Sequence, residues 1–240
     1  MTTVNPIMLS LLLPLAGALL ISMTGRWPNL RETITLVTAV TVALVVWSLV
    51  PEVMAGGRPE LPVLQLFGGL QIAFTVEPLG MLFGALAATL WIVNSIYSIG
   101  YMRGNNEKKQ TRFYVCFAIA IAAALGVAFA GNLLTLFLCY EILTLSTFPL
   151  VSHKGDRATV ASARVYLGIL LGTSIGLLLP AIIWTYLVAG TLTFAPEGIL
   201  AGHISGPAVG LLLALFVFGV GKAAVMPVHK WLPAAMVAPT

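Results

Sequence analysis

The chain contains seven stretches that stay apolar for about the length a bilayer demands, near residues 6–24, 33–51, 78–101, 113–130, 132–151, 160–189 and 207–226. A hydrocarbon core about 30 Å thick needs roughly 20 such residues in a helix. Polar residues collect in the connections between the stretches. Only Gly131 and Asn132 part the fourth from the fifth, which predicts a tight antiparallel helix pair. The sixth is longer than a bilayer requires and is expected to tilt or to emerge. Its Gly168, Gly172 and Gly176 recur every four residues and form one small-residue face suited to close helix packing. Between the second and third stretches the pattern changes. Residues 61–67 and 70–76 are short β-prone runs around Gly68 and Gly69, which predicts a hairpin at the membrane surface, where its backbone groups can pair or meet water.

The expected fold is therefore all-α and integral to a membrane: a bundle of about seven transmembrane helices, the seventh broken, with a short surface β-hairpin between helices 2 and 3. Composition supports this. Apolar residues make up 59% of the 240 and charged residues only 8%, where a soluble domain carries about 25%. Too few charges remain to cover a water-facing surface. The net charge of +4 is a topology signal, because the basic residues sit between apolar runs and form no aromatic-interleaved stripe for nucleic acid. Arg26, Arg31, Arg103, Lys108, Lys109, Arg112, Lys154, Arg157, Arg164 and Lys230 lie in the connections of one side; Arg58 alone lies in those of the other. That bias places the basic loops in the cytoplasm and the N-terminus outside, in a bacterial-type cell membrane. The N-terminus lacks the basic region of a signal peptide, so the first apolar run reads as a retained helix. Cys116 and Cys139 lie in apolar runs and read as small hydrophobes.

Most charges belong to loops or helix ends, and Glu77 and Arg164 are close enough to an end to snorkel. Two are not. Glu141 stands near the middle of the fifth stretch, and Lys222 stands about 22 Å along the seventh at 1.5 Å per residue. A lone charge at such depth costs about 2.5–3.5 kcal/mol on insertion scales, and opposite signs suggest that the two offset each other. A Glu–Lys pair of this kind can be switched by a proton or a neighbouring charge. Each residue also has a plainer reading. Glu141 can bond to Tyr140, Thr144 or Thr147, and Lys222 can lean toward the inner interface. Pro227 ends the seventh helix abruptly, and backbone broken at membrane depth often lines an ion or substrate site. His229 follows the break, as a proton relay or as an ordinary interfacial histidine. A retinal Schiff base on Lys222 fits poorly, because a Pro-broken segment follows that residue. The chain carries no nucleophile elbow, phosphate loop, dinucleotide fingerprint or metal-spaced His and Cys set, so neither cofactor nor metal is expected, and any catalysis would belong to a complex it joins.

Residues 132–145 (NLLTLFLCYEILTL) and 221–240 (GKAAVMPVHKWLPAAMVAPT) closely resemble the antiporter-like subunits shared by respiratory complex I, membrane-bound hydrogenases and Mrp-type cation/proton antiporters. Residues 96–102 (IYSIGYM), 148–153 (FPLVSH) and 179–186 (LPAIIWTY) look most like the Mrp D subunit. The resemblance implies that Glu141 and Lys222 are the ion pair whose opening and closing drives a proton along the membrane. It implies coupling to sodium or potassium expulsion in the Mrp type, or to electron transfer in a redox complex. It also implies an organisation: residues 1–110 hold helices 1–3 and the hairpin, and residues 111–240 open the proton-translocating repeat. The family pattern runs on past Thr240, so this is either a fragment of such a subunit or one half of a split one; the expected partners are other membrane subunits, in the split case including a chain that supplies the second half, together with lipid. A half-subunit that lends helices but no pathway is the structural alternative.

Overall fold

Six helical runs in the computed structural model are long and apolar enough to cross a membrane: α1 (Pro6–Met23), α2 (Pro28–Met54), α3 (Pro78–Gly104), α4 (Gln110–Ala128), α5 (Leu133–Val151) and the continuous run Arg157–Ala189. The structure describes residues 5–66, 68–236 and 238. Phe67 of the anticipated hairpin, residues 1–4, and Val237, Pro239 and Thr240 of the closing motif lie outside that set. The chain clusters into two compact units, Met1–Val63 with Ala73–Gly131 and Leu64–Ile72 with Asn132–Thr240. Helix α4 therefore groups with α1–α3, whereas the sequence boundary at residue 110 assigns it to the second part.

In the first unit, α1 packs on α2 and α4, and α3 packs on α2 and α4. Pro6, Pro28 and Pro78 stand in the first turns of α1, α2 and α3, where no intrahelical N–H is lost. The buried seam is largely small: Ala18, Ala39, Ala43, Ala85, Ala88, Ala118 and Ala122, with Trp91 and Leu125 filling the wider gaps. Close backbone approach matters here because lipid offers leucine no less than a neighbouring helix does. Leu44, Leu82, Leu86 and Ile96 accordingly point outward.

At one end of this unit, a cluster around Glu32 and Arg31 ties three helices together. The Glu32 carboxylate accepts from Arg31 Nη2 at 3.2 Å, Arg103 Nε at 3.1 Å and Arg103 Nη2 at 2.5 Å. Arg31 also donates to Gln110 Oε1 at 2.7 Å and Thr111 Oγ1 at 3.2 Å, and its guanidinium lies 5.1 Å from the Tyr114 ring centroid. Arg31 and Glu32 are buried. The sequence reading counts Arg31 and Arg103 as loop charges; they are structural fasteners as well.

The hairpin pairs β1 (Glu60–Gln65) with β2 (Gln71–Thr75). Its strands end one residue or more short of the β-prone runs. Gly68 and Gly69 take φ of 61° and 80°, as a tight reversal requires. The base stays in the first unit, where Thr75 N donates to Phe129 O and Gly131 N to Ala73 O. Its tip belongs to the second, where Asn132 Nδ2 donates to Gln71 O and Tyr186 Oη to Gly68 O.

The second unit contains α5, the long run and the C-terminal segments. Asn132 caps α5 by accepting from Thr135 N, and Asp156 caps α6 (Arg157–Thr173) by accepting from Thr159 N. Those Thr159 bonds hold the Asp156 carboxyl below its usual range. A π-helical turn, Ser174–Leu178, joins α6 to α7 (Leu179–Ala189). Pro180 explains the change, since it cannot donate to a carbonyl one turn back. Helix α8 (Pro207–Gly219) packs on this turn and on α7.

Helix α8 has only 13 residues, so the seventh stretch is not one span of 20. It ends at Gly219, before Lys222, and not at Pro227 as the sequence reading has it. A 3-10 turn (Gly221–Ala223), a second (Val228–Lys230) and the short α9 (Trp231–Ala235) follow. The cause is close contact with the π turn. A Cβ on Gly219 would lie 2.6 Å from Leu178 N, and one on Gly221 would collide with Thr173 Oγ1. The expected packing face of Gly168, Gly172 and Gly176 is different: nothing described lies within 4 Å of a Cβ at any of them. Close approach in this unit is made by the glycines at the break.

Two stability predictions follow from these contacts. Gly219→Leu should lower stability by about 1–3 kcal/mol through overpacking, seen as an earlier midpoint of thermal inactivation of the purified protein; an unchanged midpoint would mean the π turn yields freely. Glu32→Ala should cost about 3–5 kcal/mol, because it strands Arg31 in the interior. Arg58→Ala, which removes the exposed Arg58–Glu77 pair, should cost less than about 1 kcal/mol. Denaturant titration of the two variants in detergent compares them directly.

Candidate functional site

The break after Gly219 delivers Lys222 to α5. Val220 N still bonds back to Phe216 O at 3.0 Å, after which the chain turns through Gly221–Ala223, and Ala224 adopts the left-handed region at φ 52°. Lys222 therefore sits in a single 3-10 turn and not within a helix. Its ammonium donates to the Tyr140 backbone carbonyl at 2.9 Å and to Thr144 Oγ1 at 2.5 Å, and lies 3.3 Å from the centroid of the Tyr140 ring. The backbone N–H of Lys222 donates to the Tyr140 hydroxyl at 3.1 Å. One tyrosine thus holds one lysine through its carbonyl, its ring face and its hydroxyl.

Helix periodicity accounts for the seat. Tyr140 and Thr144 are four residues apart and share a face of α5; both are buried. Thr144 Oγ1 itself donates to Tyr140 O at 2.9 Å, which leaves its lone pairs to accept from the ammonium. One turn on, Thr147 Oγ1 bonds with Tyr166 Oη of α6 at 2.7 Å. Tyr166 meets Trp231 edge to face at 5.8 Å, and Trp231 Nε1 donates to Gly221 O at 2.7 Å. The contacts close a circuit from Gly221 through α5, α6 and α9 back to Gly221.

Glu141 is one residue off that face. Among the described residues no ion pair joins it to Lys222, and its Oε1 is buried without a hydrogen-bond partner. The structure places the two charges in one unit while Lys222 takes its bonds from Tyr140 and Thr144. Those two residues are among the three, with Thr147, that the sequence reading offers to Glu141 as partners. His229 lies in the second 3-10 turn, half-buried, with Nδ1 unpartnered. No cluster of three or more His, Cys, Asp or Glu suited to a metal occurs among the described residues.

Residues 130–240, the segment that carries α5, the long run and the break, match the family described as NADH:quinone oxidoreductase/Mrp antiporter, TM. This segment belongs to that family. Similar proteins include NADH-quinone oxidoreductase subunit N of Desulforudis audaxviator, 30% identical over 68% of this chain and 33% of its own length. A Staphylococcus saprophyticus protein named as an antiporter subunit, mnhA2, is 27% identical over 97% of this chain and 30% of its own. The chain thus spans about a third of the length of these relatives. Among solved structures, the archaeal membrane-bound sulfane sulfur reductase shares the fold with a TM-score of 0.81 at 23% identity, over 96% of this chain and 36% of that one. The Mrp complex from Dietzia sp. DQ12-45-1b gives 0.79 at 21% identity, over 97% and 25%. The chain is a multi-pass membrane protein, and its relatives are subunits of multisubunit membrane complexes.

Within the quinone oxidoreductase/Mrp segment, the sequence reading singles out both half-buried charges, Glu141 and Lys222, and misses the groups that hold the lysine. The available signal is the 140/144 spacing beside a deep lysine, which presents a carbonyl, an aromatic face and a hydroxyl on one helical stripe. Trp231 is likewise absent from the sequence-level site. Trp231→Phe keeps the ring contact with Tyr166 and removes the bond to Gly221 O. Amides of residues 221–230 should then exchange with solvent about tenfold faster, as expected for one lost buried hydrogen bond, while those of α5 keep their rates; equal rates in the variant and the parent would show that the bond does not hold the turn.

Proposed function

We propose that the chain is the proton-handling part of a subunit in a membrane complex that exchanges sodium or potassium for protons, with Glu141 and Lys222 as its switchable acid and base. One observation carries this reading: a buried oxygen of Glu141 has no hydrogen-bond partner, while the half-buried Lys222 of the same unit gives its ammonium to neutral groups. The unpartnered oxygen of Glu141 is free to accept a hydrogen bond, and an ammonium held by neutral groups can be exchanged to another acceptor. When the ammonium moves to Glu141, the carboxylate releases its proton; when Glu141 takes a proton, the ammonium withdraws. His229, with a free buried Nδ1, serves in this scheme as the relay between the pair and the segment beyond the break.

The matched family and the similarity of its relatives support the class of complex, and the likeness of residues 96–102, 148–153 and 179–186 to the Mrp D subunit supports cation/proton exchange within it. The remaining length of the relatives, about two thirds, is where further charged positions of the path would lie, carried by other membrane subunits or segments. The bias of basic connections supports an external N-terminus and cytoplasmic basic loops. A redox-coupled proton pump is the second reading, favoured by the likeness to quinone oxidoreductase subunits.

The test uses the assembled complex in vesicles. Glu141→Ala and Lys222→Ala should each cut cation-dependent proton flux by at least about tenfold while the complex still assembles. Flux at the parental level in both assembled variants would leave the chain a structural contributor of helices. Proton flux that requires an electron donor and ignores sodium and potassium would favour the redox reading.

A further inference from the structure

Ammonium groups buried in apolar surroundings need their three N–H donors satisfied, and a single carboxylate is the simplest way to do it. Lys222 is satisfied by other means. The carbonyl of Tyr140 and the hydroxyl of Thr144 take two N–H bonds, and the Tyr140 ring lies 3.3 Å from Nζ, well inside cation–π range. The hydroxyl of the same tyrosine accepts the Lys222 backbone N–H, so the ring is fixed against the turn from which the side chain springs. All of these groups are neutral, and none of them can take the lysine's proton at ordinary pH. Glu141, on the adjacent position of α5, is left with an unpartnered oxygen.

We infer that Tyr140 and Thr144 form a second seat for the Lys222 ammonium, occupied whenever the lysine is not paired with Glu141, and are therefore positioning residues of the switch. This rests on the proton-path reading above and adds its open state. Without such a seat, an ammonium leaving Glu141 would shed its proton or drag the carboxylate along with it. With the seat, lysine keeps its charge while Glu141 becomes free to bind a proton, and the two events separate. The titratable and charged groups on the surrounding elements are Cys139, Tyr140 and Glu141 on α5, Arg157, Arg164 and Tyr166 on α6, and His229 and Lys230 in the turn after the break. Tyr166 is engaged with Thr147. The seat separates Lys222 from one member of this set, Glu141.

The sign of the pH effect follows. A seat for the charged lysine makes its proton harder to remove, so losing the seat lets that proton leave at lower pH. Cation-dependent proton flux of the assembled complex in vesicles is measured across pH for Thr144→Val, Thr144→Ala, Thr144→Ser and Tyr140→Leu. The alkaline half-point should move down by about one pH unit in Thr144→Val, Thr144→Ala and Tyr140→Leu, the equivalent of one lost hydrogen bond to a charged group. Thr144→Ser, which restores the hydroxyl, should return it to the parental position. Thr144→Ala covers the case in which the valine variant fails to assemble. An assembled Thr144→Ala complex with the parental half-point overturns the seat, whether or not its maximal flux falls. Lys222→Ala separates the two ideas. If that variant is inactive and Thr144→Ala leaves the profile unmoved, the seat alone fails; if Lys222→Ala still transports, the proton path fails and the seat with it.

Discussion

A charged amine that is kept from water must be solvated by the protein, and this requirement organises the second unit. Continuous helix around Lys222 would use its own backbone groups and leave the side chain to find partners alone. Ending α8 at Gly219 frees the chain to turn, brings the Lys222 N–H to the Tyr140 hydroxyl and sets the ammonium on the neighbouring stripe of α5. The glycines make the break possible by letting it lie against the π turn, which lies just before Pro180, a residue with no N–H to give to the helix. Proline in one helix and glycine after another thus act on the same few ångströms.

The two charged clusters are built on opposite principles. Around Glu32 every carboxylate oxygen has a guanidinium partner, and both arginines have further acceptors. Such a cluster is a fastener, since any proton or ion that entered would have to break several charged bonds at once. Around Glu141 the carboxylate is left short of partners, and the cation is held by neutral groups nearby. A buried acid oxygen left without a partner is costly in a structural role and useful in a switching one.

Much of this could be read from the chain. Apolar length alone located the spans, the β-prone runs about two glycines located the hairpin, and depth singled out Glu141 and Lys222. What stayed hidden depended on contacts between distant segments. The end of α8 at Gly219 is set by Leu178 and Thr173, more than forty residues upstream, whereas Pro227 is the louder local signal. The Gly168, Gly172 and Gly176 stripe has the spacing of a packing face, but spacing does not say which partner, if any, will cover it. Tyr140 beside Glu141 reads as the acid's neighbour; only the folded turn shows it to be the lysine's. Arg31 and Glu32, adjacent at a helix start, look like ordinary interfacial charges until Arg103 arrives from the end of α3.

In the proposed switch Glu141 changes protonation while Lys222 moves between two sets of partners. Infrared difference spectroscopy on the assembled complex, recorded as the pH is stepped with and without the transported cation, observes that event directly. A protonated-carboxyl band should appear and disappear reversibly and be missing in Glu141→Gln. A difference spectrum without any band that depends on Glu141, in a complex that is transporting, would contradict the switch.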